Sequence, residues 1–120
     1  MNTIIRTRDF TVTPAIRHWI DRQLERALQR FDGEVTGVEV YLSDVNGPRG
    51  GDDKKVVMHT RLRGLPPVSV ITRGGDLYVA ISRCAKRLRR GVKRTVTKGR
   101  RVRPGKVLGL RRQVLETSPQ

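Results

Sequence analysis

The stretch RCAKRLRRGVKRTVTKGRRVR, residues 83–103, holds 11 Lys or Arg in 21 positions and no acid. Read with the preceding GGDLYVAIS, it is not a featureless basic run. At about 100° per residue, Leu77, Ile81, Cys84, Ala85, Leu88, Val92 and Thr95 fall on one face. A disordered basic tail has no reason to keep an apolar face at helical spacing, so the spacing predicts a folded helix over 76–98 with Asp76 as its N-cap.

Upstream, TPAIRHWIDRQLERALQRFDG reads as a second amphipathic helix with both ends marked. Thr13 is a suitable N-cap, Pro14 suits the first helical position, and Gly33 is a stop. Ile16, Trp19, Ile20, Leu24, Ala27, Leu28 and Phe31 recur at steps of three and four as its apolar stripe. The remaining segments alternate at period two. NTIIRTRDFTV has the β-branched content of a first strand, and VTGVEVYLSDV sets Val38, Val40 and Leu42 against Glu39, Tyr41 and Ser43. KKVVMHTRLRG sets Val56, Met58, Thr60 and Leu62 against Val57, His59, Arg61 and Arg63. PPVSVITR is a fourth short strand whose two prolines suit an edge. NGPRGGDD is a polar turn-rich loop.

The predicted fold is therefore α+β, in the order β-α-β-β-β-α. Strands two to four form an antiparallel meander, and the first helix is a crossover laying strand one parallel to strand two. One apolar stripe per helix places both helices on the same face of the four-stranded sheet. The predicted organisation is one domain over 1–98 and a flexible basic C-terminal extension over 99–120, in which VLGLRRQVLE could form a turn of helix on a partner.

The 120 residues carry a formal charge of +15 and a pI of about 11.5, which points to a polyanionic partner. The charge is lopsided. Residues 1–72 hold 11 basic and 9 acidic side chains, a net of +2, whereas residues 73–120 hold 15 and 2, a net of +13. The first part can pack as a scaffold while the second binds. On the second helix Arg83, Arg87, Arg90, Arg94 and Lys98 form one stripe down a flank, and Lys86, Arg89 and Lys93 widen it on the far side. Like charges at this spacing destabilise an isolated helix by about 0.2–0.5 kcal/mol per pair. A polyanion along the stripe relieves that repulsion. An ordinary solvated face mixes both signs, and this one does not. On the first helix Arg22, Arg26 and Arg30 make a shorter basic edge beside Asp21 and Glu25.

Arginine forks suit phosphate oxygens, and aromatic residues are only 4% of the chain. The composition thus favours phosphate and shape recognition of folded RNA over a stacking platform. Tyr41 and Tyr78 are the two exceptions open to stacking. Catalytic chemistry is not indicated. His18 and His59 lie in different elements with no ligand spacing, Cys84 sits on an apolar face, and no phosphate-binding glycine motif occurs. No catalytic residue, metal, cofactor or small-molecule substrate is expected. One cysteine excludes an intrachain disulfide, the N-terminus has no apolar signal core, and no run reaches the roughly 20 apolar residues a bilayer span needs. A cytoplasmic protein, with no membrane partner, is expected. Two further readings compete: a general RNA- or DNA-coating protein without a defined site, and a protein whose basic tail recruits an acidic protein or membrane surface. The tail's weak amphipathicity counts against a membrane.

Two stretches carry a resemblance. FTVTPAIRHWIDRQLERALQRF resembles the strand-to-helix entry of the ribosome hibernation-promoting factors, also called the ribosome-associated inhibitor family. GGDLYVAISRCAKRLRRGVKR resembles that family's second signature, an Asp-x-Tyr-x-Ala-Ile run leading into a basic helix. The resemblance covers about residues 1–98. It implies binding to the small ribosomal subunit and its 16S rRNA, in the channel of mRNA and tRNA, with translation blocked and idle ribosomes protected under stress. It places the family's basic positions on Arg26, Arg87, Arg90, Arg94 and Lys98. The expected RNA-binding set is accordingly Arg22, Arg26, Arg83, Lys86, Arg87, Arg90, Lys93, Arg94 and Lys98. Ser82 stands where the family often has Asp or Asn, the 46–53 loop is longer and richer in glycine, and the tail is basic rather than acidic. A short form lacking the C-terminal dimerisation domain, monomeric when free, is expected.

Overall fold

A computed structural model describes residues 2–8, 11–44 and 54–102; the predicted 46–53 loop and most of the predicted extension, 103–120, lie outside the described residues. Four strands and two long helices follow in the expected order: β1 (Thr3–Arg8), α1 (Pro14–Leu28), β2 (Val35–Asp44), β3 (Lys54–Leu62), β4 (Leu65–Gly74) and α2 (Leu77–Val102). The sheet order is β1-β2-β3-β4, with β1 parallel to β2 and the other pairs antiparallel.

Local chemistry accounts for the element ends. Thr13 Oγ1 accepts from the Ile16 amide at 3.1 Å, and Pro14 takes the first helical position. The Asp76 carboxylate accepts from the Tyr78 amide at 2.9 Å and the Val79 amide at 3.3 Å, satisfying two orphan donors of α2. Between β3 and β4 the chain reverses over Arg63 and Gly64. Gly64 has a φ of 67°, a conformation that costs a side-chain-bearing residue strain.

Register puts Val38, Val40 and Leu42, Val56, Met58 and Thr60 on one face, where they meet the buried residues of both helices in a single core. Ile20, Leu24, Val40, Val56, Met58, Ile81, Cys84, Leu88 and Val92 are fully buried there. Both helices pack on that face. Near their starts they are pinned together: Trp19 Nε1 donates to the Tyr78 carbonyl at 3.0 Å, and the two rings meet edge to face at 5.7 Å.

Three element boundaries and one core position differ from the sequence reading. The α-helical hydrogen bonding of α1 stops at Leu28, and Phe31 reaches the core from a 3-10 turn at Gln29–Phe31. β4 begins at Leu65, ahead of its two prolines, which an edge strand tolerates. α2 does not stop at Lys98 but continues to Val102, because Gly99 packs against Leu65 rather than breaking the helix. In α2 the last buried residue is Val96, whereas Thr95 is only half-buried. The buried arc of α2 covers the sheet and also leans toward α1, so it is wider than a stripe centred on the sheet.

Gly91 lies in the middle of α2, where glycine ordinarily weakens a helix by roughly 0.5–1 kcal/mol relative to alanine. A Cβ there would stand 2.7 Å from Val68 Cγ1, and valine is stiff at χ1. Overpacking of this kind costs about 1–3 kcal/mol. Gly91→Ala is therefore expected to lower stability by about 1 kcal/mol despite its better helix propensity, read as a lower urea midpoint at unchanged slope.

Candidate nucleic-acid interface

The face of α2 turned from the core carries the cations. Arg83, Lys86, Arg87, Arg90, Lys93, Arg94 and Lys98 are all exposed, as are Arg22 and Arg26 on α1. From Leu77 to Val102 the helix holds no Asp or Glu. Its outer half is thus a basic surface without local neutralisation.

The packing divides this surface into two lanes. One flank of α2 lies against the edge strand β4. There Arg87 Nη1 donates to the Ile71 carbonyl at 3.1 Å, which holds the guanidinium against the strand and satisfies an edge acceptor. Ile71, Thr72, Arg73, Arg83, Lys86, Arg87 and Arg90 line an open cleft of about 370 Å³ at this junction. Five of its seven lining residues are cations and none is an acid, a composition that suits phosphate groups.

The other flank faces α1. Arg26 follows Trp19 by seven residues and Arg89 follows Tyr78 by eleven. Each is close to a whole number of turns, so both stand on the flanks joined by the Trp19–Tyr78 contact. Arg22 and Arg26 therefore border the groove between the helices, on the side of Lys93, and are not brought into the β4 cleft. A second shallow groove, at the end of α1, is lined by Glu25, Leu28, Gln29 and Asp32 and has the wrong sign for a polyanion.

One cleft residue was not legible in the sequence. Arg73, at the end of β4, joins the cleft only because β4 is the edge next to α2. Arg89, read from the sequence as widening the stripe on its far side, stands on the flank of α2 toward α1. The other candidates take structural roles. His59 Nδ1 is hydrogen-bonded to Ser69 Oγ across β3 and β4, and His18 is exposed on α1. Among the described residues no cluster of three or more His, Cys, Asp or Glu could hold a metal ion, and no helix is long and apolar enough to cross a membrane. Cys84 is buried, with Sγ 3.5 Å from the Val70 carbonyl, and burial pushes its thiol above the usual range. Tyr78 packs on Trp19 while remaining partly exposed.

Comparison with known proteins agrees with the fold. Among curated proteins no relative matches. The N-terminal domain of Protein Y from Thermus thermophilus is similar in structure, with a TM-score of 0.67 and 32% identity over 78% of this chain and 98% of that domain. A ribosomal subunit interface protein from Coxiella burnetii shares the fold, with a TM-score of 0.66 at 15% identity, over 83% of this chain and 99% of that one. The profile of the sigma-54 modulation protein / S30EA ribosomal protein family matches residues 3–100, from β1 through nearly all of α2, and the chain belongs to that family.

Proposed function

We propose that this chain is a non-catalytic, cytoplasmic ribosome-associated factor that binds the small ribosomal subunit. It lies in the mRNA and tRNA channel with the basic face of α2 against 16S rRNA. By occupying that channel it inhibits translation and preserves idle ribosomes under stress. The observation that carries this reading is the acid-free outer face of α2, with its cations exposed from Arg83 to Lys98 and continued by Arg73 of β4, in a member of this family. The Coxiella protein that shares this fold is named a ribosomal subunit interface protein. Arg-to-phosphate contacts supply affinity, and the rigid sheet and helix pair supply the shape that selects one site.

Cosedimentation with 30S, 50S and 70S particles in the presence of excess tRNA tests the proposal. Saturable binding near one per particle, on 30S and 70S but not on 50S, is the expected result. Binding to every particle, stripped by competitor, would reduce the protein to a general RNA- or DNA-coating protein. With about six phosphates neutralised, affinity should fall on the order of 10³-fold between 50 and 200 mM salt. A flat salt response would point to a protein partner.

A further inference from the structure

Both helices occupy one face of the sheet, so among the described residues the other face is open. Its outward residues form cross-strand rows fixed by the register. One row runs Arg6, Tyr41, Val57 and Ile71; the next runs Arg8, Ser43, Lys55 and Arg73. The first has an apolar centre, with Tyr41 39% and Ile71 53% exposed. The second is basic. Neighbouring strands stand about 4.8 Å apart, so each row is about 14 Å long, and the rows are separated by about 6.7 Å along the strands.

The Tyr41 ring is held in place. Its hydroxyl donates to Glu39 Oε1 at 3.0 Å, two residues back on the same face, and this draws the ring along the strand, where it remains 39% exposed. Arg61 in turn bridges Glu39 at 3.4 Å. The Tyr41 hydroxyl, followed by the Arg61 and Arg6 charges, holds the Glu39 carboxyl below the usual range. Glu39 is the one acid at the outward positions among the described residues of this face, and it is already engaged. Arg6, Arg8, Lys55, Arg61 and Arg73 set the sign.

Arg73 belongs to this face and also to the cleft with Arg83, Lys86, Arg87 and Arg90. The basic surface of α2 therefore passes around the β4 edge onto the open sheet without an intervening acid among the described residues.

We infer that the open sheet face is a second contact surface for RNA, taking a short single-stranded segment whose bases lie over Tyr41, Val57 and Ile71 and whose phosphates lie along Arg8, Lys55 and Arg73. The inference rests on the RNA-binding reading of α2 and extends it around the β4 edge. Charge excludes two other occupants, because a second copy of this face and the chain's own basic 103–120 segment would both be repelled. A duplex keeps its bases stacked and would leave the apolar row uncovered, whereas splayed bases cover it.

The test uses the full chain, a fluorescent ten-nucleotide oligouridylate and a ten-base-pair RNA duplex. Tyr41→Ala removes apolar surface but no charge, at an exposed position outside the α2 cleft, so the fold should persist by circular dichroism. The variant is expected to bind the oligouridylate about tenfold more weakly while its duplex affinity is unchanged. Equal weakening on both RNAs, or none on either, overturns the inference. Independently, in the unsubstituted protein the methyl signals of Val57 and Ile71 should shift on adding the oligouridylate. Shifts confined to α2 would overturn the sheet-face contact while leaving α2 as the RNA surface. Loss of α2 binding by Arg87→Glu, Arg90→Glu and Arg94→Glu, tested on the duplex, reports separately on the reading beneath it. An acidic peptide that displaces the oligouridylate from those methyls at equal affinity would assign the face to a protein partner instead.

Discussion

Replacing Arg87, Arg90 and Arg94 together by glutamate is expected to abolish binding to the small subunit, by at least 10³-fold, with the fold retained. All three side chains are exposed, and they stand on consecutive turns of α2. Each reversal removes a phosphate-pairing cation and adds a charge that repels the same phosphate. A hydrogen bond involving a charged group contributes about 1.5–3 kcal/mol, so three losses already exceed a thousandfold in affinity at about 1.4 kcal/mol per decade. The folded chain should tolerate the change, because acids among the remaining cations reduce repulsion along α2. The loss of the Arg87 bond to the Ile71 carbonyl exposes an edge acceptor to water rather than burying it. Unchanged circular dichroism and thermal midpoint with lost cosedimentation is the expected pattern. Undiminished cosedimentation would remove this face of α2 from the interface.

Leu88→Ala is expected to act in the opposite way, through stability. Leu88 is fully buried on the core face of α2, in the cluster shared with Val56, Met58 and α1. Truncating a buried leucine to alanine costs about 2–5 kcal/mol, the larger values where the surroundings cannot collapse into the space. β-strands on one side and a second helix on the other leave little room for collapse, so about 3 kcal/mol is expected, read as a lower urea midpoint at unchanged slope. Ribosome binding at low temperature should be nearly preserved, because no cation is removed, and should fail near the lowered thermal midpoint. A loss below 1 kcal/mol would mean that α2 is not packed on the sheet as described.

The division between these variants follows the helix itself. Residues one position apart point in different directions, so Leu88 holds α2 down while Arg87 and Arg89 on either side are exposed on its flanks. The same periodicity made the helix and the exposed basic face opposite its core legible without coordinates. The caps at Thr13 and Asp76, the strand alternation and the strand order are local or near-local signals, and each appears in the structure where its residues stand. All nine residues expected to contact RNA are exposed, because charge at helical spacing opposite an apolar stripe has one place to go.

What sequence reading could not supply depends on which elements touch. Gly91 and Gly99 look like weak points in a helix until α2 is laid against Val68 and Leu65 of β4, where a side chain at either position would collide. Val96 rather than Thr95 closes the core because α2 leans toward α1 as well as toward the sheet. Arg73 becomes part of the basic cleft, and Tyr41 part of an open face, only once β4 is an edge and both helices share one side of the sheet. The sequence by itself determined the elements, their order and the charge of the exposed face of α2, because propensity, capping and periodicity act over a few residues. The tertiary structure alone decided where that surface turns a corner and which glycines it requires, because those follow from close approach between segments distant in the chain.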